Sequence, residues 1–245
     1  MSAFKSFTDM IPYPWRKGIL DLVQPNRAGI GPVLRGMNRN LRTVFDIGAN
    51  VGDVSSLMLY YFPQATVYSF EPCTSTYAAL TANIAKTGYA DRSRTFKLGF
   101  FDEEKQGDLH ITSFHGANSM LGLSDEFRRM NPHITEVESE RIDLVRLDDF
   151  VREQGIEHID LVKIDVEGVE QQILKGGPET FRSKVDSVIM EISFVRNARG
   201  NGEYIRLFQI MHDYGFAPAQ IYDLSHSEGQ RDWPLAQFDC VFTKY

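Results

Sequence analysis

The stretch from Thr43 to Gly52 restricts this chain more than any other. A short apolar run, Thr43 to Ile47, carries one charge at Asp46 and breaks directly into Gly48-Ala49-Asn50-Val51-Gly52. The residues from about Asp53 to Tyr61 then read as a helix. An apolar strand that passes through glycines into a helix is the opening unit of a doubly wound parallel sheet, and ligands of such sheets sit at that turn. The glycines let backbone approach a ligand closely, and the first turn of the helix leaves its N–H groups unpaired.

The same alternation continues along the chain. Thr66–Phe70 is a second β-branched and aromatic run, ending at Glu71-Pro72; Thr74 or Ser75 can cap a helix that runs to Lys86 and stops at Gly88. Thr95–Leu98, Asp160–Ile164, Val185–Ile192, Phe216–Ile221 and Asp239–Thr243 read as further strands. Residues 107–114 and 140–146 partly alternate and suggest an inserted hairpin. Helices are expected from Leu147 to Gly155, from Gly168 to Lys175 and over 203–214. The pattern predicts an α/β, Rossmann-like, mostly parallel sheet with helices on both faces. The last two strands follow one another without a full helix, so the final strand is expected to be antiparallel.

A chain of 245 residues, 42% hydrophobic and 24% charged, suits one globular domain with an elaborated end. The division expected is a basic extension over 1–42, acting as a lid or a packing arm, and a domain over 43–245. Seven basic residues and two acidic ones leave +5 on the extension, and therefore −12 on the rest of a chain of net charge −7. An acidic body disfavours nucleic acid as a partner, since that binding needs phosphates neutralised over a continuous surface. No apolar run reaches the roughly 18 residues of a membrane span, and the first 30 residues hold no signal-peptide core. Cys73 and Cys240 lack metal or redox spacing. The expectation is a reducing, cytoplasmic location; a homo-oligomer is compatible with the sequence.

Asp46 decides what the glycine loop can hold. The loop departs from the dinucleotide pattern G-x-G-x-x-G, with Asn50 in place of a glycine. A carboxylate before the first glycine repels a pyrophosphate but attracts a ligand with ammonium and sulfonium charges, as S-adenosyl-L-methionine has. Glu71, at the end of the second strand, is placed to accept hydrogen bonds from ribose hydroxyls. The candidate cofactor residues are therefore Asp46, Gly48, Asn50, Gly52 and Glu71, with Ser119 added because Asn118-Ser119 falls where such folds cover the cofactor.

Three carboxylates are candidates for chemistry. Asp165 and Glu167 follow the strand 160–164, and Glu191 lies near the end of the next strand. They are read as a base for an acceptor hydroxyl, or as ligands of a hard cation such as Mg2+, with Asp165 and Glu191 as the metal pair. The bland alternative is helix capping by Asp165 and a favourable dipole contact from Glu167. His133 and His226 are alternative bases that fit surface positions better; His110, His115, His158 and His212 have no assigned role. Tyr222, Trp233 and Trp15 offer flat faces for stacking an acceptor, although core packing is the commoner use of such rings.

With these residues quoted, the chain resembles the FkbM family of methyltransferases. The matching stretches are 44–52, Phe70-Glu71-Pro72, 145–150, 161–170, 173–177 and Met190-Glu191-Ile192, and the resemblance covers about residues 41–245. It implies S-adenosyl-L-methionine as donor and O-methylation of a small-molecule or glycan acceptor, first of all a sugar hydroxyl. It also assigns Asp46, Gly48, Asn50, Gly52 and Glu71 to the cofactor. The alternatives are a polyketide, macrolide or peptide acceptor, a nicotinamide-dependent oxidoreductase, and a non-catalytic nucleotide-binding or scaffolding subunit.

Overall fold

Strand β1 (Thr43–Ile47) is buried along four of its five residues, and its alternate side chains feed two separate cores. Val44 joins a cluster with Leu57, Met58, Leu80, Leu161 and Ile189. Phe45 and Ile47 point the other way, into a cluster with Phe70, Phe150, Val162, Ile164 and Met190. A strand covered on both faces has to read as a continuous apolar run, which is why Asp46 stands out in it. The computed structural model describes residues 29–194, 203–226 and 235–245; Trp15, Trp233 and the side chain of His226 lie outside that description.

The first half of the described chain runs α1 (Ile30–Gly36), β1, α2 (Asp53–Tyr61), β2 (Thr66–Phe70), α3 (Thr74–Ala85), β3 (Ser93–Phe96), β4 (Gly99–Phe101) and β5 (Lys105–Thr112). It continues with α4 (Asp125–Met130), β6 (Glu136–Arg146), α5 (Leu147–Glu153), β7 (Ile159–Ile164), α6 (Glu170–Gly176) and α7 (Pro178–Ser183). The last elements are β8 (Val185–Ser193), α8 (Glu203–Asp213), β9 (Phe216–His226) and β10 (Leu235–Lys244). Among these residues a seven-stranded sheet has the order β3-β2-β1-β7-β8-β10-β9. β1 pairs in parallel with β2 on one side and with β7 on the other, so the chain reverses its direction of travel across the sheet at β1. β10 runs antiparallel to both β8 and β9, as its short connection predicts.

Two motifs of the sequence act here as joints. Phe150 sets its ring edge-on to Phe70 and Phe96, both at 5.0 Å, and to Phe100 at 5.6 Å. Asp148 accepts the Thr180 N–H at 2.8 Å and the Glu179 N–H at 3.2 Å, capping α7, which Pro178 opens. The start of α3 differs from expectation. Neither Thr74 nor Ser75 caps it; Glu140 reaches across from β6 and accepts both the N–H and the hydroxyl of Thr74.

The inserted hairpin is larger than expected. β5 pairs antiparallel with β6 and β4 pairs parallel with it, giving a second, three-stranded sheet. Between β5 and β6, residues 113–135 form an excursion with a short 3-10 turn at His115–Ala117 and then α4. A bridge between His110 and Ser119 ties that excursion back to β5. β3 begins two residues earlier than the apolar run suggests. α1 packs on the domain, with Val33 and Leu34 buried in the same cluster as Val44. No helix among the described residues is long and apolar enough to cross a membrane.

Candidate functional site

The reversal of strand order at β1 opens a cavity of about 290 Å³ at the carboxyl ends of β1, β2 and β7. Its floor is the glycine loop. Gly48 has φ 78°, and a Cβ on it would stand 1.9 Å from the Asp165 carbonyl oxygen, so the loop and the end of β7 touch backbone to backbone. The Gly48 and Ala49 N–H groups both donate to the Phe70 carbonyl, at 3.1 and 2.9 Å, which ties the loop to the end of β2 as well.

Glu71 forms the wall at the end of β2. Its carboxylate accepts the Asn50 N–H at 2.9 Å, the Cys73 N–H at 3.0 Å and the Thr76 hydroxyl at 2.7 Å. Burial raises its pKa, and those three donors oppose the rise. One of these bonds falls on Oε2 and two on Oε1, which leaves Oε2 a spare lone pair for a hydroxyl.

Asp46 lies beneath the loop. It is fully buried, and it accepts the Ser55 hydroxyl at 2.5 Å, which in turn receives the Ser69 hydroxyl at 2.8 Å. Lys163 of β7 places its ammonium 3.2 Å from Asp46 Oδ1, 3.4 Å from Asp165 Oδ2 and 3.0 Å from the Gly48 carbonyl oxygen. Burial alone would depress the Lys163 pKa, but the Asp46 and Asp165 carboxylates outweigh it and hold the amine charged. Lys163 thus neutralises Asp46 and reaches the cavity wall together with Asp165.

Of the residues expected at the site, the cavity brings together Gly48, Asn50, Glu71, Asp165 and Glu167. Gly52 lies behind it; its left-handed backbone (φ 89°) and a Cβ position 2.6 Å from Leu80 Cδ1 give glycine a packing reason there. Ser119 is buried and donates its hydroxyl to the Glu167 carbonyl at 2.7 Å. Glu167 itself adopts φ 63°, a region costly for a residue with a side chain. Glu191 stands off the cavity on β8, where it accepts the Gln237 amide at 2.9 Å. Burial and the carboxylates of Asp165, Glu167, Glu170 and Asp239 push its pKa well up.

The comparisons with known proteins come down on one family. A family model described as the methyltransferase FkbM domain matches residues 46–218. The chain belongs to the FkbM methyltransferase family. It is 33% identical over 143 residues to 2-O-methyltransferase NoeI of Sinorhizobium fredii, covering 56% of this chain and 58% of that protein. To 31-O-demethyl-FK506 methyltransferase FkbM of Streptomyces tacrolimicus it is 27% identical over 179 residues, covering 64% and 67%. The chain thus spans somewhat over half the length of NoeI. Among solved structures, that of a fibrillarin/Nop5p complex superposes with a TM-score of 0.50 at 12% identity, covering 88% of this chain and 79% of that one. The sheet order and this likeness identify a Rossmann-like α/β fold.

Several residues of this FkbM domain's site escape a reading of sequence alone. Lys163 is hidden within an apolar strand run; a lysine flanked by Val162 and Ile164 is the available signal. His115, Gly116 and Asn118 reach the cavity rim from the excursion between β5 and β6. Asp239 of β10 pairs across from Glu191 on one side and Tyr222 on the other. Burial, then Asp165 and Asp223, push its pKa up to about 7. The Tyr222 hydroxyl is buried beside this group with no hydrogen-bond partner among the described residues, and its pKa is raised by burial and by Asp239. Among the described residues, His158, Asp160 and Asp186 are the three whose ligand atoms fall within 4.8 Å of one another, and they lie at the opposite end of the sheet. Among the described residues, Asp165 and Glu191 do not form such a group with a third ligand.

Proposed function

We propose that this chain is an S-adenosyl-L-methionine-dependent O-methyltransferase whose acceptor is a sugar hydroxyl. The observation that carries the reading is the pairing, across one cavity, of the buried Glu71 at the end of β2 with Asp165 and Glu167 at the end of β7. The donor set suits the cofactor. Glu71 offers an acceptor for a ribose hydroxyl, the glycine loop offers close backbone approach, and Asp165 at the cavity wall offers negative charge to an ammonium. Because Lys163 already neutralises Asp46, the anionic character of the wall comes from Asp165 and Glu167. Bound there, S-adenosyl-L-methionine supplies an electrophilic methyl group.

The chain's own part is positioning and proton removal. Positioning of reacting groups is worth up to about 7–11 kcal/mol. Glu167 has a left-handed backbone (φ 63°), and its carbonyl accepts the Ser119 hydroxyl at 2.7 Å, which anchors the backbone that carries its carboxylate at the cavity. It serves as base for the acceptor hydroxyl, with Asp165 orienting Lys163 beside it. Burial and the neighbouring carboxylates raise the pKa of Glu191 and of Asp239, which face each other across β8 and β10. The names of the relatives, one a 2-O-methyltransferase and one a 31-O-demethyl-FK506 methyltransferase, support oxygen as the methylated atom. The second name also supports an acceptor of the FK506 type as the alternative. The buried Val33 and Leu34 support a packing role for the later part of the extension 1–42.

Calorimetric titration with S-adenosylhomocysteine tests the donor half, with NAD as the control. Labelled cofactor and panels of glycans, polyketides and peptides then test the acceptor. Failure to bind S-adenosylhomocysteine sinks the reading, and methylation confined to a non-sugar position overturns its acceptor half.

A further inference from the structure

A second cavity, of about 280 Å³, adjoins the first and shares Gly116 and Glu167 with it. Its other walls come from the excursion between β5 and β6 and from the ends of β8, β9 and β10. We propose that this cavity is the acceptor subsite and that it selects an uncharged, hydroxylated ring of about the size of one monosaccharide. The proposal rests on the methyltransferase reading of the first cavity.

The lining decides the chemistry. Phe114, Phe127 and Ile134 give one apolar side, and Phe114 is 53% exposed. Asn131, Ser193, Ser225 and Gln237 give uncharged polar groups that can donate to or accept from hydroxyls. Among the described lining residues there is no lysine or arginine, and Glu167 is the one carboxylate. A flat apolar face opposite several amides and hydroxyls matches a sugar ring, which has an apolar face and hydroxyls around its edge. Among the described lining residues, no cation would offset the Glu167 carboxylate against an anionic ring.

The boundary between the cavities fits this division. Phe114 faces the second cavity and His115 the first, their rings stacked 5.4 Å apart. Between the two spaces stands Gly116, where a Cβ would come 2.7 Å from Phe114 Cε1. Glu167 therefore borders the donor space and the acceptor space at once, which is where a base for the acceptor hydroxyl has to be.

Saturation-transfer NMR on the full chain with S-adenosylhomocysteine tests this directly. The probes are methyl glucoside, galactoside, mannoside and rhamnoside, with methyl glucuronide and cyclohexanol as charged and unhydroxylated controls. We expect transfer to at least one neutral glycoside, and little to either control. In Phe114→Ala and Asn131→Ala that transfer falls at least threefold while S-adenosylhomocysteine affinity stays within twofold of wild type. Retained affinity also shows that both variants fold. Absence of glycoside binding, preference for the glucuronide or for cyclohexanol, or transfer unchanged in both variants overturns the subsite. Loss of S-adenosylhomocysteine binding by wild type would instead strike the reading beneath it.

Discussion

Lys163 Nζ stands 3.2 Å from the Asp46 carboxylate, and both side chains are almost wholly buried. The ion pair bolts β7 to β1 directly below the glycine loop, and the same amine donates to the Gly48 carbonyl. Removing one member leaves the other charged and buried, a change that typically costs 3–5 kcal/mol. Lys163→Met should therefore lower stability by about that much in urea denaturation. Adding Asp46→Asn to the same chain should recover part of the loss, because no naked charge then remains. Additive losses in the double variant would mean that the two residues do not act as a pair.

Glu71→Gln keeps the shape of the side chain and removes its charge. A hydrogen bond to a charged group contributes about 1.5–3 kcal/mol, so S-adenosylhomocysteine should bind roughly 10- to 100-fold more weakly by calorimetry. The melting temperature without ligand should fall as well, since the new amide nitrogen must face the Asn50 or the Cys73 N–H that the carboxylate accepts. Unchanged affinity would remove Glu71 from the cofactor site.

The two carboxylates after β7 are separable by kinetics. Glu167→Gln should lower kcat by about 10²–10⁴-fold, the usual contribution of a positioned base, with S-adenosylhomocysteine affinity preserved. Asp165→Asn should reduce turnover less and weaken cofactor binding more, because it removes charge from the wall beside Lys163. Treatment with EDTA should leave wild-type rates unchanged. A rate lost to chelation and restored by Mg2+ would assign Asp165 to a metal instead.

Asp239 has a pKa near 7 in the fold, against about 3.9 in an unfolded chain. Its proton is therefore held more tightly when folded, and ionising it opposes folding. Stability from this residue is full below about pH 4 and declines as pH rises through 7. Asp239→Asn should be more stable than wild type at pH 8, by at least about 1 kcal/mol. The difference should close towards pH 4. A constant difference across pH, read by urea denaturation, would rule out the titration.

The core strands were legible because each is buried on both faces and is punctuated by Gly, Pro or an acid. Thr43–Ile47, Asp53–Tyr61 and Thr66–Phe70 match the structure residue for residue. Gly99–Phe101 was not, since three residues show no period, and α4 is a single short stretch in polar sequence, although Ser124 caps it by accepting the Phe127 N–H. The antiparallel last strand followed from the missing crossover helix. At the site, Glu71 and Asp165 were readable from their places at strand ends. Asp239 was not, because only the insertion of β10 between β8 and β9 sets it opposite Glu191. Lys163 looked like a strand residue until its two carboxylates were located in space.

The excursion of residues 113–135 contributes Phe114, Phe127, Asn131 and Ile134 to the second cavity, while the walls of the first come mostly from the sheet and its glycine loop. On the proposed reading, acceptor choice rests largely on this excursion, which also supplies His115 and Asn118 to the first cavity. The same excursion carries Ser119, which donates to the Glu167 carbonyl, so exchanging it would alter the second cavity and the seat of Glu167 together. Swapping this segment between two members of the family should accordingly change acceptor preference and the placing of the base in one step, and it costs the sheet none of its strands.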